Sequence, residues 1–204
     1  MKILFIYPNT GSQLGFNYGI SHISAVLKKA GHFVELWQIC EDLAPLPDED
    51  QFKEKLKAYS PDIIGFSVVT NQWNYTKMLA KWTKEILSVP LLCGGVHPTV
   101  DTEETVKSSL FDYTFVGECD EAILEFIDKF SLKEDVENVK NLAFMKNDKV
   151  IINPVRNLPD LSSLPPKDYE IFDFQKMIDA KQGWVGLMAS RGCPFSCTYC
   201  FNHR

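Results

Sequence analysis

Along this chain, short continuous apolar runs alternate with segments whose apolar positions recur at helical spacing. Lys2-Ile3-Leu4-Phe5-Ile6-Tyr7 is closed by Pro8-Asn9-Thr10-Gly11 and predicts a buried strand feeding a loop. Ile20, Ile23, Leu27 and Ala30 then share one helical face, with Gly31 where a left-handed C-terminal residue is wanted. Phe33 to Ile39 predicts a second strand, and Pro61-Asp62 introduces a third, Ile63 to Val69, followed by a helix from Gln72 to Leu87. Pro90-Leu91-Leu92-Cys93 is a short fourth strand. Asp101-Thr102-Glu103-Glu104 has capping-box form, with Asp101 accepting from the helix start and Glu104 reaching back, and opens a helix to Leu110. Tyr113 to Val116 is a fifth strand, and Asp120 to Phe130 a helix presenting Ile123, Leu124 and Ile127 inward.

Strands alternating with helices imply a parallel sheet covered on both faces, because a parallel crossover needs a helix. The expected fold class is α/β, a flavodoxin-like doubly wound domain with a five-stranded parallel sheet. Ligands in that architecture sit beyond the carboxyl ends of the strands, so the loops after Tyr7, Val69, Cys93 and Val116 should line a site. Asn141 to Ile152 reads as a hairpin around Asn147-Asp148. Pro154, Pro159, Pro165 and Pro166 then suit a linker of limited helicity, and Trp184 to Ala189 reads as one more strand. The expected division is 1–138 for the α/β domain, 139–152 for the hairpin, 153–183 for the linker and 184–204 for the start of a further, incomplete domain.

Composition narrows the function classes. The 204 residues are 45% hydrophobic and 24% charged, as in ordinary folded domains. A net charge of -6 without a basic stripe argues against a nucleic-acid partner. No apolar run approaches the roughly 18 residues that span a bilayer, and Met1 to Tyr7 reads as a strand too short for a signal sequence; the expected location is cytoplasmic. Six cysteines in a reducing compartment do not predict a disulfide framework. Cys40, Cys93 and Cys119 are isolated and read as small apolar core residues.

The other three are clustered. Cys193-Pro194-Phe195-Ser196-Cys197-Thr198-Tyr199-Cys200 lets three thiolates converge within one loop. A 4Fe-4S cluster held by three cysteines keeps one iron open to another molecule, whereas a structural zinc site closes with four ligands, and His203 offers a fourth. With Ser190-Arg191-Gly192 before it and Thr198-Tyr199 inside it, this run resembles the cluster loop of radical S-adenosylmethionine enzymes. The resemblance implies that Cys193, Cys197 and Cys200 ligate the cluster, that S-adenosylmethionine chelates the open iron and is cleaved to a 5′-deoxyadenosyl radical, and that Tyr199 packs near the adenine. In that family the rest of a partial barrel lies downstream of the motif. With Arg204 four residues after the last cysteine, the chain is expected to be inactive alone and to need that barrel, with an electron donor such as flavodoxin or ferredoxin.

Gly94 and Gly95 at the end of the fourth strand would let a ligand approach the backbone, since no Cβ intervenes, though an ordinary strand-to-helix turn has the same look. Ser67-Val68-Val69-Thr70 ends the third strand and Val116-Gly117-Glu118 the fifth, on the same edge of the expected sheet. Together, and especially in Gly94-Gly95-Val96-His97-Pro98-Thr99 with Gly117-Glu118, residues 1 to about 130 resemble the N-terminal cobalamin-binding domain of one radical S-adenosylmethionine subfamily. The resemblance implies a cobalamin tail held by Ser67, Val69, Gly94 and Gly95, with Thr70, His97, Gly117 and Glu118 nearby. It also implies methyl transfer, or radical rearrangement or cyclisation, in the complete protein.

Two departures from the pattern stand out. Where cobalamin domains that ligate cobalt carry D-x-H-x-x-G, this chain has Leu14-Gly15-Phe16-Asn17-Tyr18-Gly19, so the ligand position is Phe16, which cannot coordinate a metal. Cys119-Asp120 stands where a glycine and a glutamate are expected after Gly117-Glu118. The alternative is a non-catalytic cobalamin or nucleotide-binding module with a zinc-binding terminal loop.

Overall fold

The computed structural model describes residues 1–12, 14–188 and 190–200. Its centre is one seven-stranded sheet in the order β2-β1-β3-β4-β5-β6-β7, formed by Lys2–Pro8 (β1), Phe33–Ile39 (β2), Ile63–Ser67 (β3), Leu91–Gly94 (β4), Tyr113–Phe115 (β5), Leu142–Lys146 (β6) and Lys149–Ile152 (β7). The first five are parallel in the doubly wound order expected. The hairpin is more than an appendage, because β6 pairs antiparallel with β5 and lengthens the sheet. Its turn residues Asn147 and Asp148 both have positive φ, the hand that matches strand twist in a two-residue hairpin.

Alternation along the strands builds a core on each face. Ile3, Phe5, Ile63, Leu92 and Phe115 face one side, where helices α1 (Tyr18–Lys29) and α6 (Asp120–Ser131) pack together. Leu4, Ile6, Ile64, Phe66, Leu91 and Cys93 face the other, covered by α2 (Glu49–Tyr59) and α3 (Trp73–Ile86). Each fully buried Phe or Ile contributes roughly 1.5–3 kcal/mol relative to exposure. The end of α1 follows the expectation: Gly31, at φ +88°, donates to Lys28 O and His32 donates to Leu27 O, the paired bonds of a left-handed helix stop.

Helix α2 has no counterpart in the pattern read from the sequence. Its only buried residues are Phe52 and Leu56, and a reciprocal Asp48–Gln51 capping box starts it. Two short helices, α4 (Val96–Val100) and α5 (Thr102–Lys107), follow β4. The capping box expected at α5 is half formed: Asp101 accepts from Glu104 N at 3.3 Å, while the Glu104 carboxylate instead accepts from Trp73 Nε1 at 2.8 Å.

Beyond the hairpin, the proline-rich segment is docked on the domain. Asp168 accepts from Ser24 Oγ at 2.6 Å and pairs with Lys28 at 2.6 Å, and Phe172 and Met177 enter the first core, Met177 from helix α7 (Phe174–Ala180). The strand expected over Trp184 to Ala189 is not formed over 184–188, and Ala189 lies outside the described residues. A strand needs a neighbour to complete its ladder, and the sheet's edges at β2 and β7 do not pair with this segment. Among the described residues no helix is long and apolar enough to cross a membrane.

Candidate functional site

The chain order of the sheet reverses between β1 and β3, and the loops leaving their carboxyl ends diverge to opposite faces there. Side chains stitch these loops together. Thr10 Oγ1 donates to Gln72 Oε1 at 2.8 Å, and Asn17, which also caps α1 by accepting from Ile20 N, donates through Nδ2 to Ser67 Oγ at 2.9 Å. Ser67 lies directly opposite Gly94 in register. By strand alternation both belong to the face covered by α1 and α6.

The two glycines differ in role. A Cβ on Gly94 would meet nothing nearer than Phe115 Cβ at 3.8 Å, so its missing side chain leaves an open floor between Ser67 and Phe115. Gly95 has φ +106°, and a Cβ there would fall 2.8 Å from both Val68 N and Val68 O. Val68 N donates to Gly94 O and His97 N donates to Val68 O, so Gly95 is where two loops press backbone to backbone. Its glycine serves the turn itself, the ordinary reading that the sequence left open.

The remaining expected contacts divide among loops. Val69 is half-buried in extended backbone, and Thr70 is exposed at the start of the single 3-10 turn that precedes α3. His97 is buried beneath Trp73, ring centroids 4.4 Å apart, with Nδ1 3.4 Å from Thr70 Oγ1 and Nε2 3.7 Å from Glu104. It braces α4 against the second core, away from the Ser67–Gly94 face. Burial holds its imidazole below the ordinary 6.5, so the unfolded chain takes up the proton first and stability falls as pH drops below that value through the lowered folded one. His97→Gln should therefore reduce the difference between thermal melts at about pH 7.5 and about pH 5.

Gly117, at φ +73°, donates its N–H to Thr99 Oγ1 at 3.0 Å, tying the loop after β5 to α4. Glu118 is exposed, and Arg191 donates to it at 2.7 Å. The buried Asn141 Nδ2 holds Val116 O at 2.8 Å and Glu118 O at 3.2 Å, while its Oδ1 accepts from Arg156 N at 3.1 Å. Two clefts of about 340 and 540 Å³ lie elsewhere, beyond the amino ends of the strands around Tyr113.

The family model of the B12 binding domain matches residues 9–127, more than half of the chain. The chain belongs to the B12 binding domain family.

Curated relatives extend beyond that domain. An uncharacterized methyltransferase of Pyrococcus horikoshii is 26% identical over 98% of this chain and 45% of its own length. The anaerobic magnesium-protoporphyrin IX monomethyl ester cyclase of Rubrivivax gelatinosus is 26% identical over 98% of this chain and 38% of its own. The chain thus spans less than half the length of these relatives. Among solved structures, the cobalamin-dependent S-adenosylmethionine radical enzyme OxsB with aqua-cobalamin bound matches with TM-score 0.80 and 19% identity over 98% of this chain and 28% of that one. The radical S-adenosylmethionine methyltransferase TsrM from Kitasatospora setae matches with TM-score 0.65 and 15% identity over 76% and 30%. These likenesses establish the α/β fold.

Phe16, which the sequence resemblance set against a cobalt-ligating histidine, is engaged in aromatic packing. Its ring stacks on Tyr169 at 5.1 Å and meets Phe172 at 4.4 Å, Phe174 at 5.5 Å and Tyr18 at 5.0 Å. This loop grips the docked segment with carbon. His22 is half-buried, its Nδ1 without a hydrogen-bond partner among the described residues, and its pKa is lowered by burial first and by Arg191 second.

The six cysteines are all free thiols. Cys40 and Cys93 are buried in the two cores and Cys119 packs against the first, as expected. Burial raises the Cys93 thiol above its ordinary range and pushes Cys119 up to about 12. Cys193 and Cys197 are exposed and Cys200 half-buried, with Cys200 N donating to Cys197 O in a turn. Among the described residues no three metal-binding side chains are gathered within coordination reach. The donor set, three unpaired thiols on an accessible loop, fits a metal cluster chemically, but the loop is not assembled around one. Tyr199 is 91% exposed, and His203 lies outside the described residues.

Proposed function

We propose that this chain binds cobalamin through its domain of residues 1–138, and a 4Fe-4S cluster through Cys193, Cys197 and Cys200, as the N-terminal part of a cobalamin-dependent radical S-adenosylmethionine enzyme. The observation that carries the reading is the open floor at Gly94, set beside Ser67 at the carboxyl end of the sheet and inside the stretch matched by the B12 binding family. Bound cobalamin would supply methyl-carrying or radical-controlling chemistry. The chain's own residues do the holding. Gly94 leaves room for the tail, Ser67 presents a hydroxyl oriented by Asn17, and Val69, Gly95, Thr70 and His97 shape the adjoining loops. Gly117 and Glu118 border the corrin side. Tyr199 would pack near the adenine of S-adenosylmethionine once a cluster orders its loop.

The named relatives include a methyltransferase and a cyclase, which supports methyl transfer or cyclisation as the chemistry of the whole protein; radical rearrangement and a flavodoxin- or ferredoxin-type electron donor are further parts of the proposal. Anaerobic purification with added hydroxocobalamin, iron and sulfide tests the reading. A stoichiometric corrinoid band with about four irons per chain is the expected result. Electron paramagnetic resonance of the cobalt(II) form should show no nitrogen splitting from the Leu14–Gly19 loop, because Phe16 offers none. Corrinoid-free protein carrying zinc alone would replace this reading with a nucleotide-binding module ending in a zinc loop.

A further inference from the structure

We propose that Arg191 is a positioning residue that clamps the cysteine loop to the start of α6, through a two-point grip on Asp120 and a third bond to Glu118; the consequence for cofactor geometry rests on the reading above. Arg191 Nη1 donates to Asp120 Oδ2 at 2.6 Å and to Glu118 Oε2 at 2.7 Å, and Nη2 donates to Asp120 Oδ1 at 3.0 Å. The partners lie 71 and 73 residues away, so the bond joins separate parts of the chain.

Burial makes the pair more than a surface contact. The Arg191 side chain is 11% exposed and that of Asp120 only 3%. Asp120 is the first residue of α6, where the helix dipole favours a carboxylate and its two oxygens can meet a planar guanidinium in parallel. A lysine offers one point charge and cannot reproduce that fork.

The surroundings show why one residue matters so much. From Gln182 to Cys200 the described side chains are exposed except those of Arg191 and Cys200. Gly192 follows at φ +71° and turns the chain toward Cys193. Ahead of the thiols the segment is held by a bond from Lys167 Nζ to Met188 O at 3.3 Å and, two residues before Cys193, by the buried Arg191 grip. Its anchor, Glu118-Cys119-Asp120, is the loop after β5 at the same end of the sheet as Ser67 and Gly94. A shorter Asp120 in place of the expected glutamate draws the arginine close to the helix, with Glu118 closing over it.

Trypsin reads the clamp directly, since it must take the Arg191 side chain into its own pocket to cut before Gly192. In the intact 204-residue chain without cofactors, Asp120→Asn should speed that cut at least about tenfold, and Asp120→Glu should restore most of the protection. Cutting after Lys57 on α2 serves as the reference for global opening. Equal rates at Arg191 in wild type and Asp120→Asn would overturn the clamp. If every site accelerates together, that variant is unfolding and the decision passes to Glu118→Gln on the exposed partner. A selective rise there supports the clamp and no rise sinks it.

Once both cofactors are loaded, Arg191→Lys should keep iron and corrinoid per chain unchanged, yet broaden the spin coupling between cobalt(II) and the reduced cluster. A coupling identical to wild type would refute the positioning role. Failure to load corrinoid at all would instead count against the proposed function, and would leave the trypsin result standing.

Discussion

Leucine at Gly94 should weaken cobalamin binding at least about tenfold, or ~1.4 kcal/mol, with little change in melting temperature. The backbone there is ordinary strand and a Cβ would touch only Phe115 Cβ at 3.8 Å, so the new side chain costs the fold little and fills the floor beside Ser67. Alanine at Gly95 should do the reverse. Its Cβ would sit 2.8 Å from the Val68 N and O atoms at φ +106°, a backbone conflict that no rotamer change relieves. A cost of about 2 kcal/mol would lower the melting temperature by about 4–8 °C in a chain of this size. Calorimetry paired with corrinoid titration separates the two. Unchanged affinity in Gly94→Leu would remove Gly94 from the site, and an unchanged melt in Gly95→Ala would contradict the close approach of the loops.

Alanine at any one of Cys193, Cys197 or Cys200 should reduce iron after anaerobic reconstitution well below the four expected of an intact cluster. A cluster with three protein ligands has none to spare. Alanine at Cys40 should leave the iron content intact, because that thiol is buried in the first core under β1 and β2. Iron and sulfide assays on the four variants decide the matter. Loss of iron in Cys40→Ala comparable to the other three would show that the cluster assignment has the wrong thiols.

Much of the fold was legible because burial leaves a direct mark on composition. β1, β3 and β4 are buried on both faces and read as unbroken apolar runs, while α1, α3 and α6 keep apolar faces at helical spacing. Helix α2 was illegible since two side chains, Phe52 and Leu56, suffice to seat it and the rest of its surface is polar. The composition of Trp184 to Ala189 reads as a strand, yet a ladder partner is a tertiary fact, and over 184–188 none is formed. In the site, Ser67 and Gly94 were recognisable as strand ends. The distinction between Gly94 and Gly95 was not, because it depends on Val68, a residue of the loop after β3. Arg191 was read only as part of the run before the cysteines, and its partner was not legible. An arginine and an aspartate 71 residues apart carry no pattern, and only the packed chain shows them paired.

Asn141 bears on how this protein comes apart. Its buried side chain joins Val116 and Glu118 to Arg156, and its main chain accepts from Val116 N and donates to Pro154 O. Hydrogen bonds of one residue thus cross from the loop after β5 to both ends of the hairpin. Removing the hairpin would strand the carbonyls of Val116 and Glu118 beside the site. The family's matched stretch ends at 127, but these bonds run on through Arg156, so Asn141 couples the loop that Arg191 grips to the hairpin.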